Sequence, residues 1–238
     1  MIPLRDANPT RRTPVITFSL IGACVAVFAL ELSITATGGD AALERFFEQW
    51  GAVPADITRA LESGNYLGQA MLGMVTSMFL HGGWLHLLGN MLFLWIFGNN
   101  VEDSMGPVKF LAFYLLGGIA ATALQTAVNA DSDVANLGAS GAVAAVLGGY
   151  LLLFPRARVV TVIFIIFFFT IVELPAMFFL VIWFAQQALF GALDLNGSGG
   201  GVAYFAHIGG FAFGLLAVKL FASELRRRQQ IERVGGLT

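Results

Sequence analysis

The sequence predicts an all-α protein that crosses a membrane six times, as three observations indicate. The chain of 238 residues is 57% hydrophobic and only 12% charged, whereas a soluble domain has about 25% charged residues. Long uncharged apolar stretches recur, each near the about 20 residues that a helix needs to cross hydrocarbon. Basic residues cluster in alternate connections between these stretches. The predicted spans are residues 15–36, 84–101, 107–128, 138–154, 175–193 and 202–222.

The first span follows a polar and basic segment, residues 1–14. The apolar run VITFSLIGACVAVFAL ends without a clear small-residue cleavage site, so we interpret it as a retained span rather than a signal peptide. Cys24, in this run, is the only cysteine, which excludes an intrachain disulfide and a zinc–thiolate cluster. Glu31 lies near the end of the span, where we expect it to be solvated.

A long outer connection, residues 37–83, separates the first two spans. It contains the acidic and aromatic segment ALERFFEQW. We expect this segment to form an amphipathic helix on the membrane surface.

The boundary of the fifth span is the least regular part of the pattern. Residues 159–193 are too long for one ordinary span and too short for two spans and a turn. The stretch VVTVIFIIFFFTIV is rich in β-branched and aromatic residues, and Pro175 suits the first turn of a helix. We therefore begin the fifth span near Leu174, after an extended or interfacial segment over 159–173. One long, tilted helix with a kink at Pro175 remains the alternative.

Arginines place both termini on the cytoplasmic side of the membrane. They precede the first span, separate the fourth from the fifth and follow the sixth. The chain is thus divided into a cytoplasmic segment (1–14), a membrane domain (15–222) and a basic cytoplasmic tail (223–238). The net charge of −2 is too small to indicate a nucleic-acid partner, so we expect the lipid bilayer as the main surroundings. The arginines are Arg5, Arg11, Arg12, Arg156, Arg158, Arg226, Arg227 and Arg228.

Four polar side chains interrupt the apolar spans: His86, Asn90, Ser140 and His207. Such groups are expensive in lipid and usually mark function. Three of them, His86, Ser140 and His207, lie about 14 residues from the inner ends of their spans, or about 21 Å into a hydrocarbon core of about 30 Å. Asn90 lies one turn deeper, on the same helical face as His86. The spacing predicts one polar layer about 10 Å below the outer surface.

These four residues match the needs of acyl transfer. A serine nucleophile requires an adjacent base, which is usually histidine, so Ser140 pairs with His207. An oxyanion requires preorganised donors, which His86 and Asn90 supply. No acidic residue lies near His207 in sequence, so we expect a dyad. Taken singly, Ser140 also fits a close-packing position, and His86 with Asn90 an interhelical hydrogen-bond pair.

Small residues predict that the fourth and sixth spans pack closely. Gly210 and Gly214 are four residues apart, and Gly141 begins a similar stripe directly after Ser140. Close contact of these helices would bring Ser140 and His207 within hydrogen-bond reach. We also expect interhelical hydrogen bonds from Gln125, Gln186 and Gln187.

Three stretches of the chain resemble the rhomboid family of intramembrane serine proteases: HGGWLHLLGNMLFLWIFGNNVED, NLGASGAVAAVLGGYLLLFPRARV and AHIGGFAFG. They occur in the family's order within about residues 76–222. The resemblance implies a six-helix bundle with Ser140 as nucleophile and His207 as base. It implies an oxyanion site formed by His86, Asn90 and the Ser140 backbone N–H.

The resemblance also implies cleavage of transmembrane or membrane-adjacent segments of other membrane proteins, without a metal or cofactor. We expect such a protein in the plasma (inner) membrane, with its active site open to the outer face. A substrate would enter sideways between the second and fifth spans, where Phe93, Phe178 and Trp183 are candidate gate residues. Four glycines would make the loop before His207 pliable: Gly197, Gly199, Gly200 and Gly201.

Two positions depart from the family pattern. Many members carry a Trp-Arg pair shortly before the second span, where this chain reads QAMLGMVTSMFLH. Many also carry an aromatic residue one turn after the serine, packed on the histidine ring, where this chain has Ala144. Another residue must therefore hold His207, and Tyr204 and Phe205 are the candidates.

Three other functions remain as alternatives. A catalytically inactive rhomboid-like protein would bind membrane helices without cleaving them. A transporter or channel would need a polar path across the membrane, but the inner halves of the spans are nearly uninterrupted in their apolarity. A metalloprotease using His81, His86 and His207 would lack both an H-E-x-x-H motif and an acidic residue at the right depth.

Overall fold

A computed structural model describes residues 1–165, 168–193 and 202–222. The described chain is mostly helical. The predicted basic tail, 223–238, and the glycine-rich loop before His207 lie outside the described residues. The helices are α1 (Val15–Gly38), α2 (Asp40–Trp50), α3 (Pro54–Glu62), α4 (Gln69–Thr76), α5 (Trp84–Phe93), α6 (Asn99–Met105), α7 (Pro107–Val128), α8 (Ser140–Leu153), α9 (Ala176–Leu193) and α10 (Tyr204–Phe221).

The helices confirm a multi-pass membrane protein. Within the described ranges, α1, α7, α9 and α10 are each long and apolar enough to cross a bilayer. A fifth candidate is the pair Gln69–Phe79 and Trp84–Met105, which bends by 79° at its break. In the second half of this pair, the π-helical turn Leu94–Gly98 joins α5 to α6. The remaining predicted span, α8, has 14 residues, or about 21 Å of helix, so the count of six stays a prediction.

The short helix α8 is the centre of the bundle. Nearly all of its residues are buried, and α7, α9 and α10 pack around it. A Cβ added at Gly210 would overlap the carbonyl oxygen of Gly141, and one added at Gly214 would overlap that of Ala145. These glycines therefore let α10 and α8 meet backbone to backbone, as membrane helices with small-residue faces do.

The chain also forms a three-stranded antiparallel sheet, so the all-α prediction is wrong in this respect. Strands β2 (Arg158–Ile165) and β3 (Phe168–Pro175) pair as a hairpin, and β1 (Ile2–Asp6) adds to β2. The extended segment predicted before the fifth span is thereby confirmed, and the kinked long helix is wrong. The β-branched and aromatic side chains that the hairpin contains favour strands over helix.

Acidic side chains between α5 and α7 anchor the start of the first span. Pro14, at the N-cap of α1, provides no side-chain cap. The carboxylate of Glu102 replaces it by accepting hydrogen bonds from the N–H of Ile16 (3.0 Å) and from the N–H and hydroxyl of Thr17 (both 2.8 Å). A carboxylate at this position also interacts favourably with the helix dipole.

The outer connection consists of α2, α3 and α4 in sequence. The segment ALERFFEQW is helical within α2, as predicted, and α2 has no buried residue. The connection is tied to the loop before α8 by two backbone hydrogen bonds between Ala52 and Asn136, with N–H donated in each direction at 3.1 and 2.9 Å. The outer loop therefore holds the chain segment that leads to Ser140, although the Trp-Arg pair is missing.

Candidate active site

A cavity of about 760 Å³ collects the polar residues of three helices. Its lining includes His86 and Asn90 from α5, Ser140 from α8 and His207 from α10. The structure thus brings all four candidates to one site. Its wall continues through apolar side chains such as Phe93 and Val143, and further polar residues, among them Ser132, line it as well.

Ser140 is the first residue of α8, which places its backbone N–H among those with no partner inside the helix. The preceding turn contains Gly138 at φ +114°, and its N–H donates to the Ser77 carbonyl at 2.9 Å. A Cβ at Gly138 would meet the His86 ring, with its Cε1 at 2.7 Å. The missing side chain therefore lets His86 lie against the backbone that leads into the serine.

Asn90 is fixed from its own helix. Its amide nitrogen donates to the His86 carbonyl at 3.1 Å, and the side chain is 7% exposed. An amide nitrogen carries two hydrogens, so one donor remains for a group bound in the cavity. The His86 ring lies edge-on to His81, with 5.2 Å between ring centroids. Asn90 and His86 thus offer hydrogen-bond donors on the side of the cavity opposite the N-terminus of α8.

His207 is held by α9 rather than by α8. Its Nδ1 lies 2.8 Å from Oε1 of Gln187, and its ring centroid lies 5.9 Å from that of Trp183. Tyr204 approaches edge-on at 6.5 Å. The sequence candidates for holding His207 thus include one observed contact, Tyr204, and miss the two contacts from α9. Ala144 is fully buried against α10, so that position has no room for an aromatic ring.

The expected interhelical glutamine bonds are confirmed for two of three residues. Gln187 bonds to His207, and Oε1 of Gln125 accepts the Ala206 N–H at 3.1 Å across α7 and α10. Gln186 is exposed on α9. In the sequence, Gln187 is a polar residue one turn after Trp183 on an apolar helix, which indicates an interhelical hydrogen bond. The sequence does not indicate that the partner in this bond is His207.

Of the three gate candidates, two contact each other in the structure and the third is exposed. Phe93 lies 6.3 Å from Trp183 between ring centroids, so these two residues do meet across α5 and α9. Phe178 is 54% exposed. Its neighbour Phe179 is the residue that contacts Phe93, at 6.2 Å.

His81 and Glu31 are structural partners beside the cavity. The Glu31 carboxylate accepts the backbone N–H of His81 at 3.1 Å, and both side chains are almost fully buried. The expectation that Glu31 is solvated is therefore wrong, because the outer loop folds back over α1 and covers it. Within the described ranges, no three His, Cys, Asp or Glu side chains are grouped as metal ligands.

Ser140 and His207 share the cavity without a direct hydrogen bond. Among the described residues, the Ser140 hydroxyl has no hydrogen-bond partner. Catalytic hydrogen bonds are often long before substrate binds and tighten in the complex. The arrangement places a hydroxyl, two imidazoles and an amide around one space.

The chain is similar to members of one protein family. The family model for the Rhomboid domain matches residues 68–224. Presenilin-associated rhomboid-like protein A, mitochondrial, of Danio rerio is 32% identical over 182 residues, 73% of this chain and 41% of that protein. Rhomboid protein 1, mitochondrial, of Saccharomyces cerevisiae is 28% identical over 175 residues, 69% and 46% of the two chains. RHOMBOID-like protein 4 of Arabidopsis thaliana is 35% identical over 143 residues, 60% and 32%.

These relatives are longer proteins. The chain spans less than half of the length of each of the three. Two of them are named as mitochondrial, so the expectation of a plasma-membrane location gains no support from them.

Proposed function

Because this chain belongs to the rhomboid family, we propose that it is an intramembrane serine endopeptidase. It cleaves transmembrane or membrane-adjacent segments of other membrane proteins through a dyad of Ser140 and His207. The observation that carries the proposal is the single cavity that holds both residues together with His86 and Asn90. Unrelated packing residues on three helices have no reason to converge on one cavity.

The reaction is an acyl transfer in two steps. Ser140 Oγ attacks the scissile carbonyl while His207 Nε2 takes the hydroxyl proton, and the tetrahedral oxyanion accepts hydrogen bonds from the Ser140 N–H, Asn90 and His86. His207 returns the proton to the departing amine, which leaves an acyl-enzyme. Water then attacks the ester, with His207 again as base, and Ser140 is released.

The substrate must present an unpaired carbonyl to Ser140. A hydrogen-bonded membrane helix hides its carbonyl groups, so the substrate segment unwinds locally before cleavage. We propose entry between α5 and α9, where Phe93 and Trp183 meet, with Phe178 on the lipid side of the same helix. Gly141, Gly210 and Gly214 act as packing residues that hold α8 against α10.

The proposed topology has six spans with both termini on the cytoplasmic side and the cavity open to the outer face. Residues 1–14 and 223–238 flank the membrane domain 15–222 in this arrangement. Accessibility of single introduced cysteines to a membrane-impermeant thiol reagent tests it. Labelling of the N-terminal segment from the same side as the cavity would contradict it.

The dyad is tested with purified protein in liposomes and single-span reporter substrates. We expect Ser140→Ala and His207→Ala each to lower cleavage by roughly a thousandfold or more. Ser132 lines the same cavity, so Ser132→Ala is a matched control that should retain cleavage. Thermal unfolding in detergent checks that all variants fold.

A serine-directed fluorophosphonate separates an active protease from the inactive alternative. The proposal expects labelling of the wild-type protein and none of Ser140→Ala. Cleavage retained by Ser140→Ala would exclude the dyad. A folded wild-type protein that binds membrane helices, but neither cleaves them nor reacts with the probe, would be the catalytically inactive rhomboid-like protein.

A further inference from the structure

We propose that Gln187 is a positioning residue, which holds His207 in the tautomer protonated at Nδ1 and makes the alignment of the base depend on the position of α9. This inference rests on the proposed function, because it concerns the orientation of the proposed base. It adds a third member to an arrangement that the sequence predicts as a dyad.

The contact matches the tautomer that the proposed base requires. Gln187 Oε1 lies 2.8 Å from His207 Nδ1, and an amide oxygen only accepts hydrogen bonds. With this oxygen as its partner, Nδ1 carries the ring proton, which leaves the lone pair on Nε2 to receive the proton of Ser140. The opposite tautomer would place a hydrogen on Nε2 and remove the base. Gln187 is 9% exposed, so water does not compete readily for this bond.

Gln187 does this without the charge of an aspartate. A carboxylate at this position would orient the ring and also stabilise the imidazolium that forms during catalysis. A neutral amide orients the ring only. The pair of Gln187 and His207 therefore provides ring orientation without charge stabilisation, whereas the aspartate of a triad provides both. Replacing Gln187 with a carboxylate tests this difference.

The second contact comes from the same face of α9. Trp183 precedes Gln187 by four residues, so both side chains point the same way from the helix, and both meet His207. Trp183 occupies the role of the aromatic residue that position 144 lacks. In this chain, the hydrogen-bond acceptor of the imidazole and its nearest aromatic ring thus belong to α9, while Tyr204 of α10 approaches the ring edge-on.

The packing of α9 makes these contacts dependent on its position. Of its 18 residues, five are buried, and Gln187 is the polar one among them. The inner end is fixed by the N–H of Ala176, which donates to the Ala157 carbonyl at 2.7 Å, and by that of Met177, which donates to the Pro155 carbonyl at 3.0 Å. A tilt of α9 about this inner end would withdraw Trp183 and Gln187 from His207 together. The base is then aligned only while α9 lies against the bundle.

Two substitutions separate positioning from simple helix packing. Gln187→Leu keeps the size of the side chain but removes the acceptor, and we expect kcat to fall roughly 10- to 100-fold with KM changed less than about twofold. Gln187→Glu keeps the acceptor and adds a charge. We expect it to recover most of kcat and to move the acid limb of the pH–rate profile to higher pH. His86 and Tyr204, the other titratable groups of the described cavity wall, are unchanged in all variants.

The matched control is Gln186→Leu, because Gln186 is exposed on the adjacent position of α9. It should leave kcat and the pH profile unchanged. A purely structural Gln187 would contribute to thermal stability, and Gln187→Glu would then neither rescue kcat nor move the acid limb. Either a wild-type kcat for Gln187→Leu or failure of this rescue overturns the inference.

The tautomer is also measurable in the wild-type protein, which keeps the test decisive if Gln187→Leu does not fold. The chain has three histidines, so nitrogen NMR of histidine-labelled protein gives three ring patterns, and His207→Ala identifies one. We expect His207 to be protonated at Nδ1. Protonation at Nε2 overturns the inference, while Ser140-dependent cleavage stands. Absence of cleavage and of fluorophosphonate labelling in the wild type would instead remove the proposed function.

Discussion

The turn before Ser140 depends on one absent side chain. Gly138 combines a positive φ of +114° with contact against the His86 ring. An L-residue there is strained by about 1–3 kcal/mol and also displaces a proposed oxyanion donor. The two effects differ in kind, because backbone strain lowers stability while displacement of His86 lowers activity.

We expect Gly138→Ala to lower the free energy of unfolding by about 1–3 kcal/mol and to lower kcat by more than tenfold. Gly39→Ala is the control, since Gly39 also has a positive φ (+71°) but has open space where its Cβ would lie. It should share the stability loss and keep kcat. Equal kcat for both variants, measured in the liposome assay, would contradict a role for the His86 contact.

Asp6 is a half-buried acid on the cytoplasmic side of the bundle in the proposed topology. Its Oδ2 accepts hydrogen bonds from the Tyr150 hydroxyl and from the Asn100 amide, both at 2.7 Å. Burial raises the pKa of Asp6 from 3.8 to about 6, although the bond from Tyr150 acts in the opposite direction. The folded protein thus binds this proton more tightly than the unfolded chain does.

The sign of the pH effect follows from this difference. A raised carboxyl pKa gives stability that is fully present below the unfolded value and is lost as the pH rises through about 6. We expect Asp6→Asn, whose Oδ1 accepts the same bonds, to gain Tm relative to the wild type between about pH 4 and about pH 6, the range that the two pKa values bound. Tm in detergent measures the difference. A difference that does not change over this range would show that Asp6 does not titrate there.

The start of α1 is held by a group remote in sequence. Glu102, 85 residues from Thr17, supplies the cap that Pro14 lacks. This cap ties the entry of the first span to the segment between α5 and α7. The loss of such a carboxylate exposes unpaired N–H groups and removes a favourable interaction with the helix dipole.

We expect Glu102→Ala to lower the free energy of unfolding by roughly 2 kcal/mol. Glu44→Ala is the control, because Glu44 is an exposed glutamate in α2 and should change stability by less than about 0.5 kcal/mol. Equilibrium unfolding in mixed micelles compares the two. Equal destabilisation by both would show that the cap contributes nothing specific.

The sequence predicts helices and depths better than it predicts rotations and distant pairings. The fixed rise per residue of a helix is enough to place His86, Ser140 and His207 at one level, and one cavity contains them. The rotation of α9 is set by packing, so the sequence predicts that Gln187 bonds to another helix but not that its partner is His207. The pairing of β1 with β2 joins Ile2 to Val162, and no local pattern specifies so distant a partner.

The whole bundle depends on the distance between α8 and α10. Their backbones touch at Gly210 and Gly214, so any added Cβ must push the helices apart over the length that includes the proposed active site. A displacement of about 1 Å between nucleophile and base lowers the rate on the order of a hundredfold, whereas it lowers the free energy of unfolding of the bundle by only about 1–3 kcal/mol.

We expect Gly210→Ala and Gly214→Ala to fold and to lose most of kcat. Gly22→Ala, on α1 with open space at its Cβ, should keep it. Full activity in both helix-contact variants would mean that Ser140 and His207 are aligned by their loops and by α9, and not by the contact of their own two helices.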